Sequence, residues 1–344
     1  MINLIKEGII LSKTDIEFEN GAVLNPAVIR VGDSVHIFYR AVKEGNYSSI
    51  GYCRLDGPLT LMERWDKPIM VPEFEYESKG VEDARIVKID DLYYLTYTAY
   101  DGVNARGALA TSKDLIHFEK QGIIVPNITY SEFVQMAQSL KVNKNYYQNH
   151  KFYYKKSDPL KKTILWDKNV ILFPRRINGN LVFLHRIRPG IQIVSIKEIN
   201  ELTKEFWIEY FSCFTKHIVF DPIYEHESSY IGGGCPPIET PKGWLLIYHG
   251  VEDENGPVYR ACAALLDLDD PSKILARLPY PLFSPEYEWE LYGDVNNVVF
   301  PTGTAVFGGT LFIYYGAADK EIAVARINLS ELIAELLNHK STKL

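Results

Sequence analysis

The chain has 344 residues, 47% of them hydrophobic and 13% aromatic, enough apolar material for a large core in a single domain spanning 1–344. Its formal net charge of -7 excludes a dedicated nucleic-acid binder, which needs a basic face, and favours a neutral or small-molecule partner. Cys53, Cys213, Cys235 and Cys262 are widely separated and form no CxxC pair, so they read as buried thiols rather than as a zinc site or a disulfide framework.

The first eight residues lack the basic, apolar and small-residue succession of a signal peptide, and no run approaches the length of a membrane span. A cytoplasmic protein is expected, or a periplasmic one if a signal peptide has been removed. No membrane or nucleic-acid partner is implied, and a homo-oligomer is compatible with the sequence.

From Ala22 onward one unit recurs five times: a short apolar strand, a tight polar turn, then an aromatic-rich strand ending on a polar side chain. The units run Asn25–Arg30 to His36–Arg40, Glu82–Val87 to Tyr93–Tyr97, Phe173–Ile177 to Leu181–Arg186, Cys235–Glu239 to Trp244–Gly250, and Phe300–Val306 to Leu311–Gly316. Turn residues such as Gly32-Asp33, Asn178-Gly179 and Gly308-Gly309 stand at the joints. Five such units predict an all-β, five-bladed β-propeller. Strand starts and strand ends then gather at one rim, bringing together Asn25, Arg40, Asp83, Arg85, Arg175, Arg186, His249, Tyr315 and Asp319.

Between the second and third units, a polar and basic segment at about 128–168 reads as an insertion, with Lys155-Lys156 and Lys161-Lys162 within it. Further on, Thr203 is placed to cap a short helix through Phe211. The apolar spacing from Leu329 to Leu337 predicts one amphipathic C-terminal helix laid against the sheets.

Gly-rich phosphate loops, GxSxG elbows and HExxH helices are absent from the sequence, which leaves carboxylates with arginines as the candidate chemistry. In Gly80-Val81-Glu82-Asp83-Ala84-Arg85, strand alternation lets Asp83 and Arg85 share a face. Glu225 and Glu227, just before Ile231-Gly232-Gly233-Gly234, and Glu252 supply further acids near the same rim. Two opposed carboxylates with room for a water are what inverting glycoside hydrolysis needs.

The motifs NPAVIR, GVEDAR, TYTAYDG, LFPRRI, LHR, IGGGCPPIET, GWLLIYHGV, FPTGTAV and YYGAAD together resemble glycoside hydrolase family 130, the mannoside phosphorylases and their hydrolytic relatives. The likeness covers almost the whole chain outside the insertion and implies a five-bladed propeller. It also implies that Asp83 is the general acid, acting through a sugar hydroxyl, although Ala84 stands where the family usually has Pro. Asn25, Arg40 and Asp319 match positions that hold mannose. Arg186, His249 and Tyr259 match phosphate-gripping groups.

One departure drives the expectation of hydrolysis. Tyr230 stands where the phosphorylases have Lys, and Glu225 and Glu227 lie beside it; like charges a few ångströms apart would repel a phosphate dianion by on the order of several kcal/mol at intermediate dielectric. The expected function is therefore an inverting, exo-acting β-mannosidase on β-1,2-linked manno-oligosaccharides, with Asp83 as acid, Glu227 as base and Glu198 or Glu252 as a second glutamate. The alternatives are a β-mannoside phosphorylase releasing mannose 1-phosphate and a non-catalytic sugar-binding propeller. No metal or organic cofactor is expected, and inorganic phosphate enters only as the phosphorylase's co-substrate.

Overall fold

The computed structural model describes residues 2–137, 140–147 and 163–340. It is mostly β, in several antiparallel sheets. After β1 (Ile5–Leu11) come β2 (Ala22–Val31), β3 (Ser34–Lys43), β4 (Tyr47–Asp56) and β5 (Thr60–Arg64), which form one antiparallel group. A second group holds β6 (Gly80–Ile89), β7 (Leu92–Tyr100), β8 (Ala105–Ser112) and β9 (Glu119–Ile123). A single parallel register pair, Ser48 with Gly80, joins these two groups into one eight-stranded sheet.

The third group runs β10 (Lys168–Leu172), β11 (Leu181–Arg186), β12 (Ile191–Ile196) and β13 (Ile218–Phe220). The fourth contains β14 (Tyr230–Gly233), β15 (Ile238–Thr240), β16 (Gly243–Glu252), β17 (Val258–Leu266) and β18 (Ile274–Arg277). The fifth is β19 (Val299–Phe307), β20 (Thr310–Ala317) and β21 (Glu321–Asn328), completed by β1, so the first and last strands share a sheet. Apolar side chains pack between successive groups. One such cluster joins Val23, Ile37 and Leu55 of the first group to Tyr314 and Val324 of the fifth.

Among the described residues four α-helices accompany the sheets: α1 (Tyr130–Ala137), α2 (Lys204–Ser212), α3 (Glu288–Leu291) and α4 (Leu329–Asn338). Thr203 caps α2 by accepting from the Phe206 amide at 3.2 Å. The C-terminal helix α4 forms as its spacing predicts, burying Leu332, Ile333 and Leu336. Part of the expected insertion, 138–139 and 148–162 with its lysine pairs, lies outside the described residues. The rest is more ordered than a solvated loop: Tyr130, Phe133 and Tyr146 are buried against α2 and β11. Lys168 is not insertion but the first residue of β10, and that strand precedes Phe173, where the sequence pattern placed it.

Two backbone devices recur and position the site. First, the opening strands of three groups carry a register shift at Leu24/Ala27, Glu82/Arg85 and Lys168/Ile171. Each shift holds a residue in the left-handed region: Asn25 at φ 49, Asp83 at φ 49 and Asn169 at φ 56. Asn and Asp tolerate that conformation best among residues with a Cβ, and such a bulge re-aims a side chain out of the sheet's alternation.

Second, a fully buried glutamate accepts a hydrogen bond from a strand tyrosine and pairs with a cation. The sets are Glu19 with Tyr39 and Arg64, Glu77 with Tyr97 and Lys120, Glu227 with Tyr248 and Arg277, and Glu290 with Tyr315 and Lys6. Three of these glutamates also accept two backbone amides at the start of their own short helical turn, which satisfies orphan donors. In the third group His185 takes the tyrosine's place and bonds Asp167 at 2.7 Å. Because strand side chains alternate, the residue after each of these anchors points the opposite way. Those residues are Arg40, Thr98, Arg186, His249 and Gly316.

Candidate active site

The bulges and strand ends converge on two adjoining clusters. In the first, the Asn25 Nδ2 donates to Asp83 Oδ1 at 2.7 Å. Arg40 donates to Glu82 Oε1 at 2.8 Å and to Ser48 Oγ at 2.9 Å, and its Nη1 lies 3.6 Å from Asp83 Oδ1. Burial opposes the Arg40 charge, but Glu82, Asp83 and Asp319 outweigh it and raise its pKa. Burial likewise works against ionised Asp83, yet Arg40, Lys168, Asn25 and Arg85 hold it below the usual carboxylate range. Burial and the neighbouring Asp83 and Asp294 charges push Asp319 up to about 6 against the pull of Arg40 and Lys168.

Arg85 works on the backbone. Its guanidinium donates to the carbonyls of Asp83 at 2.8 Å and Ala84 at 2.9 Å, and to that of Gly234, tying the Asp83 bulge to the fourth group. Burial lowers its pKa to about 10.

The second cluster surrounds His249. Burial, then Arg186, Arg85, Arg188 and Lys168, push its pKa well below the ordinary value, so the imidazole is neutral. Neither ring nitrogen has a hydrogen-bond partner among the described residues, nor does either amide atom of Asn169 or the Nη2 of Arg85. Buried polar atoms without partners are costly, and several together facing convergent cations constitute a site for a polar anion. Gly232 permits the close approach: a Cβ there would lie 2.6 Å from the His249 ring and 2.9 Å from Arg186 Cδ. The Tyr259 and Tyr230 hydroxyls are 2.6 Å apart, and the Arg188 and Arg186 guanidinia lie 3.6 and 5.2 Å from the Tyr230 ring centroid.

Asn25, Arg40, Asp83, Arg85, Arg186, His249, Tyr259 and Asp319 thus fall in or beside the two clusters. The geometry places Glu227 elsewhere. Both its oxygens lie 2.7 Å from the Arg277 Nη2, and it takes the Tyr248 hydroxyl at 2.7 Å, the same arrangement as Glu19, Glu77 and Glu290. Glu225 and Glu198 are exposed, Glu198 pairing with Arg176, while Glu252 pairs with Arg260 at 2.8 Å. Arg175 pairs with Glu239 at the surface, and Tyr315 belongs to the Glu290 set.

Lys168, Asn169 and Arg188 escaped the sequence reading. The signal for the first two is present, since Lys168-Asn169 before an apolar run parallels Glu82-Asp83 and Leu24-Asn25. The cation lacking at Tyr230 is supplied instead by Arg188 over its ring and by Lys168, while Glu227 is neutralised by Arg277. The repulsion that argued against phosphate is therefore offset.

Comparison with known proteins agrees. A 1,2-β-oligomannan phosphorylase from Thermoanaerobacter sp. (strain X514) is 36% identical over 334 residues, covering 94% of this chain and 96% of the relative. A β-1,2-mannobiose phosphorylase from the same strain is 35% identical over 327 residues, covering 90% and 91%. In fold, the chain matches the β-1,2-mannobiose phosphorylase of Listeria innocua with a TM-score of 0.74 at 24% identity, over 97% of this chain and 99% of that one. Relatives this similar carrying phosphorylase names overturn the expectation of an inverting β-mannosidase, and Glu227 loses its role as base with it. The profile of glycoside hydrolase family 130, described as β-1,4-mannooligosaccharide phosphorylase, matches residues 7–338, and the chain belongs to that family.

Proposed function

We propose that this chain is a β-1,2-mannoside phosphorylase, built as one catalytic domain on a five-bladed propeller. The observation that carries the reaction type is the neutral His249, without a hydrogen-bond partner among the described residues, under the charges of Arg186, Arg85, Arg188 and Lys168. The blade count is supported by apolar clusters between successive strand groups, including the fifth and the first. The β-1,2 linkage is supported by the names of the two Thermoanaerobacter relatives.

Inorganic phosphate, the co-substrate, sits in the cation cluster and the terminal mannose lies against Asn25, Arg40 and Asp319. A phosphate oxygen attacks the anomeric carbon while the bond to the leaving sugar's oxygen breaks. Asp83 supplies that oxygen's proton, through a sugar hydroxyl as the family resemblance implies, and mannose 1-phosphate forms with inversion. Lys168 links the halves: its charge depresses Asp83 in the free protein. An arriving dianion offsets that charge, raising the Asp83 pKa when a proton donor is needed.

Phosphorolysis keeps the glycosidic bond energy in a charged product that is of use inside a cell, which favours a cytoplasmic location. Among the described residues no helix is long and apolar enough to cross a membrane.

The test is product analysis on β-1,2-mannobiose with and without inorganic phosphate. Mannose 1-phosphate that appears only with phosphate is the expected result. Free mannose alone in both reactions would overturn the reading.

A further inference from the structure

Apart from this site, a cavity of about 420 Å³ opens beside the β10–β11 turn, with Asn178, Ser195, Phe206, Glu209, Tyr210 and Asp270 in its wall. Along β11 it touches Val182, four residues from Arg186, or roughly 13 Å at strand spacing. Its volume falls in the range of small-ligand pockets, roughly 300–1,000 Å³.

The lining chemistry narrows the occupant. Phe206 and Tyr210 lie with ring centroids 6.2 Å apart and planes inclined by 29°, and His217 stacks on Tyr210 at 3.9 Å; these rings form an aromatic wall in which Tyr210 is buried and Phe206 is the more exposed. Around it stand the amides of Asn178 and Asn180 and the hydroxyl of Ser195. The lining holds no Lys or Arg among the described residues. Burial, with His185 and Lys216, holds His217 down to about 4, so it is uncharged at neutral pH. Glu209 and Asp269, with Asp270 already paired with Lys273 at 3.0 Å and bonded by Ser272, leave the lining net acidic, which disfavours phosphate esters and offers acceptors for hydroxyl groups. An aromatic wall facing carboxylates and amides suits the apolar ring faces and polar rims of neutral sugars.

The wall is also pre-organised. His185 Nε2 lies 2.7 Å from the Tyr210 hydroxyl, and its Nδ1 lies 2.7 Å from Asp167 Oδ2. Asp167 Oδ1 in turn accepts the Arg186 amide at 3.2 Å. The other four strand groups close this position with a glutamate–tyrosine pair. Here the chain of bonds extends outward to α2 and fixes the ring that lines the cavity, which reduces the ordering cost of binding.

We infer that this cavity is a second carbohydrate site, distinct from the catalytic one, which holds a neutral manno-oligosaccharide segment between the Phe206/Tyr210 wall and the carboxylates of Glu209 and Asp270. The identity of the sugar rests on the phosphorylase reading above; the neutral, polyhydroxylated class rests on the cavity itself.

Calorimetric titration of the full chain with β-1,2-mannotriose in phosphate-free buffer tests it, because phosphorolysis cannot consume the sugar there. Two binding events per chain are expected. Ser195→Trp, which fills the cavity, and Phe206→Ala, which removes half of the wall, should each leave one event and keep phosphorolysis of β-1,2-mannobiose within about twofold. Should Ser195→Trp melt unlike the wild type, Phe206→Ala carries the test. A single event in the wild type, or two events persisting in the variants, overturns the second site. Absence of mannose 1-phosphate in the separate mannobiose assay overturns the catalytic reading instead, so the two failures are distinguishable.

Discussion

Around Asp83 the site is a set of opposite charges in contact: Arg40 touches Glu82 and nears Asp83, and Asn25 donates to the Asp83 carboxylate. Around His249 the charges that act most strongly are all positive, and the ring nitrogens have no hydrogen-bond partner among the described residues. The two halves share one construction, a strand-end side chain facing a bulge residue, yet in the first acids and cations are in direct contact, whereas the charges named around His249 are all cations. The difference is what the proposed reaction uses: there the mixed-charge cluster takes the sugar's hydroxyls and the proton, and the cationic one takes the phosphate.

The sharpest way to break this comparison is to remove the proton from the balanced half. Asp83→Asn keeps the shape and the Asn25 contact but cannot protonate a leaving oxygen. General-acid loss costs roughly 10²–10⁴-fold, so kcat should fall by about 10³. The KM for phosphate should stay within about threefold, measured by initial rates of mannose 1-phosphate release. A large rise in phosphate KM would show that the halves are not separable.

Lys168→Met acts on the boundary between them. Loss of a charge contact to phosphate should lower kcat/KM for phosphate by about 10²-fold, or ~3 kcal/mol at RT. Its second effect has a defined sign. Lys168 depresses the Asp83 pKa, so its removal raises that pKa, and the limb of the rate profile that reports Asp83 should move to higher pH. A profile that stays in place would remove Lys168 from the proton-transfer argument and leave it as a phosphate ligand.

How much of this was legible in the sequence follows from what each residue answers to. The recurring strand pairs and the amphipathic tail read correctly because apolar periodicity reports burial directly. Asp83, Arg40 and His249 stand out because they sit at matching places in that pattern, and the structure brings them into the two clusters. Lys168 and Asn169 were lost because the bulge breaks the pattern at the very residue it re-aims, so the third group appeared to begin at Phe173.

Glu227 was misread for a different reason. Glu17-Phe18-Glu19, Glu75-Tyr76-Glu77, Glu225-His226-Glu227 and Glu288-Trp289-Glu290 form a second repeat. The last glutamate stands six residues before Asn25, Asp83 and Gly233 in the first three. A glutamate recurring at that place in several groups answers to the fold, and only the tyrosine and cation brought to it in space reveal how.

Glu227→Gln therefore sharpens the comparison from outside both halves. In the structure Glu227 accepts five hydrogen bonds, from Arg277, Tyr248 and the amides of Ile223 and Tyr224. Replacing it leaves a buried guanidinium without its counter-charge, and breaking such a pair from one side costs roughly 3–5 kcal/mol. Glutamine retains one acceptor oxygen and the volume, so the lower end, about 3 kcal/mol, is expected in denaturant unfolding. Turnover by the folded fraction should fall by no more than about threefold, because the carboxylate is committed to scaffold bonds and faces neither half of the site. Substitutions in either half are expected to show most strongly in activity; truncating this glutamate should show most strongly in stability. A variant that melts like the wild type but loses turnover a hundredfold would place Glu227 in the chemistry and dissolve the distinction between scaffold acid and catalytic acid.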